Sequence, residues 1–352
     1  MATYIVNYLV LSGISSDRYQ VCLKQLQGEW TSLETGMDMT YFQTFGWYES
    51  IFPYQLKDNW LHENVIAVVK KDGETVLIAP LTIVKHNWMY LNRKGVYLLG
   101  RCGWSDYLNF IYKIFENEAI EALMLGVKEK YGICDWFFEQ IREDTALFTY
   151  LSINRKNIPT EKKVCVSLNL PDTEELYMVN LAKSAKQNLR TAQNRLNKAG
   201  KDLRFVFDDK NVDKHKLVSL RASRLGKKNY EPIVYKRYKR MIKDWLLFRY
   251  PHFLPFLVDA NCHVMTAYEG DEIRAFFNYG IDYVHKTILL MAVGTDETFA
   301  RYSPGMLLMY AFIKEQIQKH SINIIDFTRG DEFYKYALGG KNHYLYYFHA
   351  QV

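Results

Sequence analysis

The sequence contains few of the residues that crosslink small domains or bind metal ions. Its five cysteines are scattered over 352 residues and form no C-x-x-C pair, which argues against a disulfide framework and against a structural zinc site. Its nine histidines show no H-x-x-x-H or other ligand spacing, so we predict no metal centre. Neither a P-loop nor a G-x-G-x-x-G segment occurs, which excludes these two phosphate-binding loops.

Long apolar runs are also missing. No stretch approaches the ~20 apolar residues that a membrane-spanning helix requires. The N-terminus has an apolar run from Tyr4 to Leu11, but no basic residue precedes it, as a secretory signal requires. We therefore interpret the run as a β-strand. We expect a cytoplasmic protein without a transmembrane segment, and peripheral membrane contact remains open.

The charge of the chain is unevenly distributed. Residues 183–249 contain 20 Lys and Arg against 6 Asp and Glu, whereas the whole chain has a net charge of only +6. Such asymmetry favours an anionic partner, for which the candidates are a phosphorylated cofactor, a nucleotide-linked or lipid-linked sugar, tRNA and an anionic membrane surface. A solvated, lysine-rich helical face is the alternative interpretation.

The order of the predicted elements repeats along the chain. A hairpin with Asp72-Gly73 at its turn is followed by a strand, a glycine-containing joint, a helix and a strand. The same order recurs after a second hairpin at Gly270-Asp271, with Ser303-Pro304-Gly305 as the joint. At ~100–200 residues per domain, the length also indicates two domains. We predict an α/β (α+β) chain of two lobes, residues 1–160 and 161–352, each a mixed, mostly antiparallel sheet flanked by helices.

Short motifs along most of the chain resemble those of a known family. In sequence order they are Trp47, Ala79-Pro80-Leu81, Gly100 with Ser105-Asp106-Tyr107, Asp135-Trp136, Ala185-Lys186-Gln187-Asn188-Leu189-Arg190, Leu220 with Arg224, Asp296, Ser303-Pro304-Gly305, and Asp326 leading to Gly330-Asp331 and Tyr334-Lys335. Their order and spacing resemble the CelD-like (cellulose-biosynthesis-type) acetyltransferases of the GNAT superfamily. These are tandem-GNAT proteins related to the Fem peptidyltransferases.

The resemblance implies a GNAT-like fold in each lobe, with acyl-CoA bound as the donor by the C-terminal lobe. It implies that the strand containing Met291 and Val293 pairs with the pantetheine arm. The following helix would then offer the N–H groups and the positive dipole end of its first turn to the pyrophosphate, at Ser303, Pro304, Gly305 and Met306. Only Gly305 fits the common GNAT pyrophosphate loop, because Tyr302 and Leu307 depart from it. The donor therefore remains open between acyl-CoA and aminoacyl-tRNA.

The resemblance also suggests catalytic residues near the C-terminal end of the lobe. Tyr334 is expected to protonate the leaving thiolate, and a packed core tyrosine is the alternative. Asp326 and Asp331 flank the same loop, where either one would orient or deprotonate the acceptor. Lys335 is expected to contact a phosphate or carboxylate. The alternative for Asp326 is a structural ion pair with Arg329 or Lys335, because a buried carboxylate is costly unless it is paired.

Four further residues are expected to contact the acceptor. Asp106 and Tyr107 lie in a glycine-containing joint, where side chains often point into a crevice. Arg190 and Arg224 lie on basic helices and would clamp an anionic acceptor or the phosphates of the donor through paired N–H groups. A solvated surface position is the alternative for each of them.

The resemblance implies an acyl-CoA-dependent N- or O-acyltransferase of polysaccharide or metabolite biosynthesis. It would transfer acetyl directly to an amine or hydroxyl of a sugar, a glycan precursor or another small metabolite, without a metal and without a DNA partner. Two alternatives remain, a Fem-like transferase that uses aminoacyl-tRNA and a binding module that retains the fold without catalysis. The sequence leaves the acceptor, the length of the acyl chain, the general base and the oligomeric state open.

Overall fold

The computed structural model describes residues 2–11, 16–51, 62–87, 93–101, 105–228 and 262–352. These residues form two compact units. Unit 1 contains the described residues up to 163 together with 344–352, and unit 2 contains those in 164–228 and 262–343. The aromatic and basic residues at 235–245 have helical spacing and predict a further basic helix, which lies outside the described residues. Within the described part of the chain, no helix has both the length and the apolar character needed to cross a membrane.

Unit 1 is a mixed sheet with helices. Its strands follow the order β1-β2-β3-β4-β5-β12, and all neighbours are antiparallel except for the parallel pair β4–β5. Its elements are β1 (Tyr4–Val10), α1 (Ser16–Gln25), α2 (Gln27–Leu33), a 3-10 helix (Tyr41–Gln43), α3 (Phe45–Ile51), β2 (His62–Lys71), β3 (Glu74–Val84), β4 (Gly95–Leu98), α4 (Asn117–Tyr131), β5 (Asp135–Arg142), α5 (Ala146–Thr149), a π-helical turn (Tyr150–Asn154) and β12 (Lys341–Gln351).

Unit 2 has the same kind of sheet. Its strands follow the order β6-β11-β10-β9-β8-β7, with β10–β11 as the parallel pair. Its elements are β6 (Glu161–Asn169), α6 (Glu174–Asn180), α7 (Lys183–Lys198), β7 (Arg204–Val206), α8 (Lys214–Lys228), β8 (His263–Glu269), β9 (Glu272–Asp282), β10 (Thr287–Thr295), a 3-10 helix (Glu297–Tyr302), α9 (Pro304–Lys319), β11 (Ile324–Arg329) and α10 (Phe333–Ala337). The predicted fold class, a mostly antiparallel sheet flanked by helices, is confirmed.

Tight turns join the long antiparallel strands where the sequence predicts them. Asp72 and Gly73 connect β2 to β3 with φ angles of 49° and 94°, which is the left-handed region that glycine adopts without strain. Gly270 has a φ of 57° between β8 and β9. Both predicted hairpins are therefore confirmed, since left-handed turn residues match the twist of the strands that they join.

The core of unit 2 lies between its sheet and α9. This helix begins at Pro304, whose fixed φ suits the first helical position. It packs on β8 and β9 and buries Leu308, Phe312 and Ile313 completely. Each of these side chains contributes roughly 1.5–3 kcal/mol by leaving water. The predicted helix after Ser303 is thus confirmed, and its burial fixes where its first turn lies.

The start of α6 differs from the prediction. In the sequence, Asp172 with Glu175 three residues later forms a capping-box pattern that predicts Asp172 as the cap. The cap is instead Thr173, whose hydroxyl accepts a hydrogen bond from the backbone N–H of Leu176 at 3.2 Å. The helix then stops at Leu181, which is extended, and α7 starts separately at Lys183. Two helices, of 7 and 16 residues, therefore replace the single helix ending at Gly200 that the spacing of the apolar residues predicts.

Candidate functional site

A cleft of about 160 Å³ opens in unit 2 where the two parallel strands separate. Strands β10 and β11 are in register over only three pairs, from Thr287 with Ile324 to Leu289 with Asp326. Beyond these pairs, both strands contribute to the walls of the cleft. The described residues that line it are Arg221, Phe277, Leu290, Met291, Ala292, Val293, Phe327, Thr328, Arg329, Glu332, Tyr334 and Lys335.

The wall formed by β10 contains an irregularity. The register between β10 and β9 shifts between Leu290 and Ala292, which makes Met291 the extra residue of a β-bulge. Bulges bend a strand and redirect its side chains, and they are frequent next to functional sites. Met291 and Val293, which the sequence predicts as donor-binding residues, both line the cleft.

The wall formed by β11 is held by Thr328. This residue has a φ of 55°, an uncommon conformation for a β-branched side chain. Its hydroxyl donates a hydrogen bond to the carbonyl of Leu290 at 2.8 Å, and its backbone N–H donates one to Oδ1 of Asp326 at 2.7 Å. A side chain therefore bridges the strands at the point where their pairing ends, and this fixes the base of the cleft.

The first turn of α9 lies next to the same cleft. Ser303 precedes it with a φ of 52°, and the side chain of Ser303 makes no capping hydrogen bond. A Cβ atom built on Gly305 would lie 3.4 Å from Oγ1 of Thr295, at the end of β10, and 4.0 Å from a ring carbon of Phe277, which lines the cleft. These are ordinary contact distances, so a Cβ atom at Gly305 would fit without displacing its neighbours. The first N–H groups of a helix have no partner within the helix and attract anions.

Tyr334 lies on α10 and lines the cleft. Its ring is half-buried and packs against two phenylalanines, with centroid distances of 6.4 Å to Phe277 and 6.2 Å to Phe327, the latter in an edge-to-face arrangement. The ring therefore packs in an aromatic cluster whose members also line the cleft, and the acid role of Tyr334 stays a prediction.

Lys335 has protein partners for its ammonium group. Nζ donates hydrogen bonds to the carbonyls of Thr328 at 3.2 Å, Arg329 at 2.7 Å and Gly330 at 3.0 Å. It also lies 3.1 Å from Oε2 of Glu332. The side chain is only 2% exposed, although part of it lines the cleft.

The two aspartates predicted for catalysis lie elsewhere. Asp326 is buried in β11, and its Oδ2 lies 3.6 Å from Nε2 of His343. Asp326 therefore has a structural partner in His343, which the sequence did not suggest. Asp331 is exposed. Neither carboxylate is among the residues that line the cleft.

Arg221 is a cleft residue that the sequence did not single out. It lies on α8, whose backbone packs closely on β10, since a Cβ atom built on Gly294 would lie 3.1 Å from the backbone nitrogen of Arg221. Arg224 lies three residues further along α8, and its side chain is outside the described part of the structure. Arg190 is exposed on α7 and does not line the cleft. The signal available in the sequence was the helical spacing of Arg221 and Arg224.

Asp106 and Tyr107 belong to a tightly packed joint of unit 1. Tyr107 is buried, and its carbonyl accepts a hydrogen bond from Nε2 of Gln43 at 3.0 Å. The preceding residue, Ser105, accepts a hydrogen bond at its hydroxyl from the indole N–H of Trp47 at 2.9 Å. The side chain of Asp106 is partly exposed. The family motif around Trp47 and Ser105 therefore has a structural explanation in this unit.

The connection from β10 to α9 is stabilised electrostatically. Asp296 follows β10 and pairs with Arg274 of β9 at 2.6 Å. Burial favours a higher pKa for Asp296, but hydrogen bonds from Thr298 and Arg274 outweigh burial and lower its pKa. Within the described residues, no group of three or more His, Cys, Asp or Glu side chains is arranged to hold a metal ion.

Residues 183–336 match the family model described as an acetyltransferase (GNAT) domain. This span runs from α7 into α10 and includes all the described residues that line the cleft. Over this span, which is less than half of the chain, the sequence is therefore similar to a GNAT-type acetyltransferase domain. No curated protein matches the chain in sequence.

Several solved structures are similar to nearly the whole chain. A crystal structure of FemX has 9% identity and a TM-score of 0.54, covering 97% of this chain and 96% of FemX. The C-terminal domain of a putative lysylphosphatidylglycerol synthetase from Agrobacterium fabrum has 11% identity and a TM-score of 0.54, with coverages of 94% and 92%. A conserved protein of unknown function from Bacteroides thetaiotaomicron has 11% identity and a TM-score of 0.55, with coverages of 99% and 100%. At these identities the likeness concerns the fold.

Proposed function

We propose that this chain is an acyl-CoA-dependent N- or O-acyltransferase that transfers an acetyl group to an amine or hydroxyl of a sugar, a glycan precursor or another small metabolite. The observation that carries the proposal is the cleft between the separating strands β10 and β11. It lies beside the first turn of α9 and within the span that matches the acetyltransferase domain. The earlier resemblance to CelD-like enzymes supports a glycan-related acceptor.

The donor would lie along β10 with its phosphates at α9. An extended pantetheine arm can follow a strand that has separated from its neighbour, in the way that a peptide adds to the edge of a sheet. Residues 290–293 provide this strand, with the bulge at Met291. The pyrophosphate would lie at the N–H groups of Gly305 and Met306, where the helix dipole favours negative charge. Arg221 of α8, whose backbone lies close to Gly294 of β10, adds a guanidinium group to the cleft.

The transfer would be direct. The lone pair of the acceptor attacks the thioester carbonyl, and a tetrahedral intermediate forms. The C–S bond then breaks, and its electron pair leaves on sulfur. The hydroxyl of Tyr334 donates its proton to this thiolate, while the acceptor gives up its own proton to water, from which Tyr334 is reprotonated. Asp326 and Asp331 do not line the cleft, so we assign neither of them a part in this step. Tyr334 lines the cleft and takes the role of the acid.

A Fem-like transferase that uses aminoacyl-tRNA is the second candidate. Two of the similar structures are named as FemX and as a lysylphosphatidylglycerol synthetase domain. The exposed residues of α7 include Lys183, Arg190, Arg195 and Lys198. Proteins bind RNA phosphates through Lys and Arg side chains, and such binding weakens steeply as the salt concentration rises.

Binding of acetyl-CoA tests the proposal first. A micromolar site at millimolar ligand raises the free energy of unfolding by about 4 kcal/mol, which a thermal-shift titration detects. We expect Gly305→Glu to abolish the shift, because the carboxylate would occupy the phosphate position. Gly28→Glu is the matched control, because Gly28 is exposed with no atom within 4 Å of an added Cβ.

The outcome also separates the candidates. A saturable shift that Gly28→Glu keeps and Gly305→Glu loses supports the acyl-CoA site. If acetyl-CoA and longer acyl-CoAs produce no shift, the proposal is wrong. Release of the amino acid from charged tRNA in the presence of the protein would then favour the Fem-like alternative. Failure of both assays would favour a binding module without catalysis.

A further inference from the structure

The turn after β11 is built around one buried cation. The carbonyl oxygens of residues 328–330 all point to Nζ of Lys335, at 3.2, 2.7 and 3.0 Å. An ammonium group has three N–H donors, so these three contacts account for all of them. Glu332 balances the charge with Oε2 3.1 Å away. The protein itself therefore supplies the hydrogen bonds and the counter-charge that a buried ammonium requires.

The turn has a conformation that needs such support. Thr328 and Gly330 have φ angles of 55° and 104°, and the first is unfavourable for a β-branched residue. Three successive carbonyls that point to one centre would repel one another without a cation between them. The backbone N–H of Gly330 adds a hydrogen bond to the carbonyl of Val164 at 3.0 Å. Lys335 thus stabilises a backbone conformation that is intrinsically unfavourable for this turn.

The same lysine fixes the helix that carries Tyr334. Its backbone N–H bonds the carbonyl of Glu332 at 3.0 Å, and its own carbonyl accepts from Gly340 at 3.0 Å. Side chain and backbone of Lys335 therefore join the end of β11, the start of α10 and the residues after it. Tyr334 is the preceding residue of this helix, so a shift of α10 changes where its hydroxyl lies in the cleft.

We propose that Lys335 is a positioning residue: its ammonium group locks the 328–330 turn and so aims the hydroxyl of Tyr334 at the leaving sulfur. The part of the proposal that concerns sulfur rests on the proposed acyltransferase function, whereas the part that concerns Tyr334 does not. The sequence predicts instead that Lys335 contacts a phosphate or carboxylate of the substrate. We prefer the positioning role because the three N–H groups of its ammonium already donate hydrogen bonds to backbone carbonyls of the protein.

The test combines kinetics with a spectroscopic signal from Tyr334. In Lys335→Met we expect turnover to fall about 100-fold, as for a misplaced catalytic group, while KM for acetyl-CoA changes less than about threefold. 3-Fluorotyrosine placed at position 334 should give one sharp fluorine NMR resonance in the parent protein. The resonance should shift or broaden in Lys335→Met. Lys341→Met, at an exposed lysine of β12, is the matched control and should change neither signal.

Each result has one interpretation. An unchanged fluorine resonance in folded Lys335→Met would overturn the proposal. So would a KM for acetyl-CoA that rises as much as turnover falls, because this would make Lys335 a ligand contact. If Lys335→Met does not fold, Glu332→Gln removes the counter-charge alone and should shift the same resonance by a smaller amount. If the parent shows no transferase activity, the proposed function fails, and the resonance still decides the position of Tyr334.

Discussion

Arg274 and Asp296 are joined twice across the start of the connection to α9. Nη1 of Arg274 lies 2.6 Å from Oδ2 of Asp296, and the backbone N–H of Asp296 donates to the carbonyl of Arg274 at 2.8 Å. The guanidinium group also pairs with Glu269 at 2.6 Å. Because a Cβ atom built on Gly305 would lie only 3.4 Å from Oγ1 of Thr295, this cluster lies close to the helix end that we propose as the phosphate site.

Replacing Arg274 should give a stability loss that depends on pH. The pKa of Asp296 is lowered from 3.8, so its contribution is present above this value and is lost as the pH falls through the lower pKa of the folded state. We expect Arg274→Met to lower the free energy of unfolding by about 1 kcal/mol at pH 7 and by less at pH 3. Urea unfolding at both values measures this, with the exposed Arg190→Met as control. An equal loss at both values would contradict the assignment.

Removing one oxygen tests the role of Tyr334. Tyr334→Phe keeps the ring contacts with Phe277 and Phe327, so we expect stability within about 0.5 kcal/mol of the parent. Loss of a general acid should lower turnover by about 100-fold with little change in KM for the donor. Steady-state kinetics with acetyl-CoA and with a thioester of a more acidic thiol check this prediction. The defect should be smaller with the better leaving group, and an equal defect with both donors would argue against the acid role.

Variants of two arginines should show whether acetyl-CoA binds in the cleft or on the surface of α7. Arg221→Met removes a cation that lines the cleft, and we expect affinity for acetyl-CoA to fall about tenfold, as for loss of one charged hydrogen bond. Arg190→Met removes an exposed cation of α7 and should leave this affinity unchanged. Calorimetric titration of both variants decides the matter. The opposite ranking would place the anion next to Arg190, which the sequence predicts as one half of a clamp with Arg224.

His62 in unit 1 should make stability sensitive to mild acid. Burial, helped by the nearby charge of Arg101, lowers its pKa from 6.5 to about 4. The unfolded chain therefore takes up a proton first, and stability is lost as the pH falls from 6.5 towards 4, by on the order of 3 kcal/mol in total. Unfolding curves at pH 7, 5.5 and 4 should show this loss. In His62→Gln the loss over this range should be clearly smaller.

The parts of the fold that depend on local backbone requirements were predictable. Asp72-Gly73 specifies a tight turn, and Ser303-Pro304 specifies a helix start, whatever the rest of the chain does. Met291, Val293 and Tyr334 were predicted for the site and line one cleft. The resemblance placed Met291 and Val293 on the strand of the donor and Tyr334 among the catalytic residues, and whether they bind or catalyse stays a prediction.

The rest of the site depends on packing between distant segments. Arg221 lines the cleft because α8 approaches β10 at Gly294, and no local pattern predicts this approach. The carbonyl groups around Lys335 depend on the left-handed conformation of Thr328. A β-branched residue rarely adopts this conformation, so the sequence does not predict it. Asp326 pairs with His343, which lies 17 residues later by number and on another strand. Spacing along the sequence carried no information on that pair.

The short pairing of β10 with β11 also has a consequence for amide hydrogen exchange. Three pairs hold these strands together, whereas eight join β10 to β9. Local opening requires the least free energy where few backbone contacts are lost, so the amides of residues 291–293 should exchange with deuterium sooner than those of the central strand β9. A ligand that lies along β10 would slow this exchange selectively. The amides of residues 291–293 are therefore a built-in reporter of occupancy that needs neither a label nor a known acceptor.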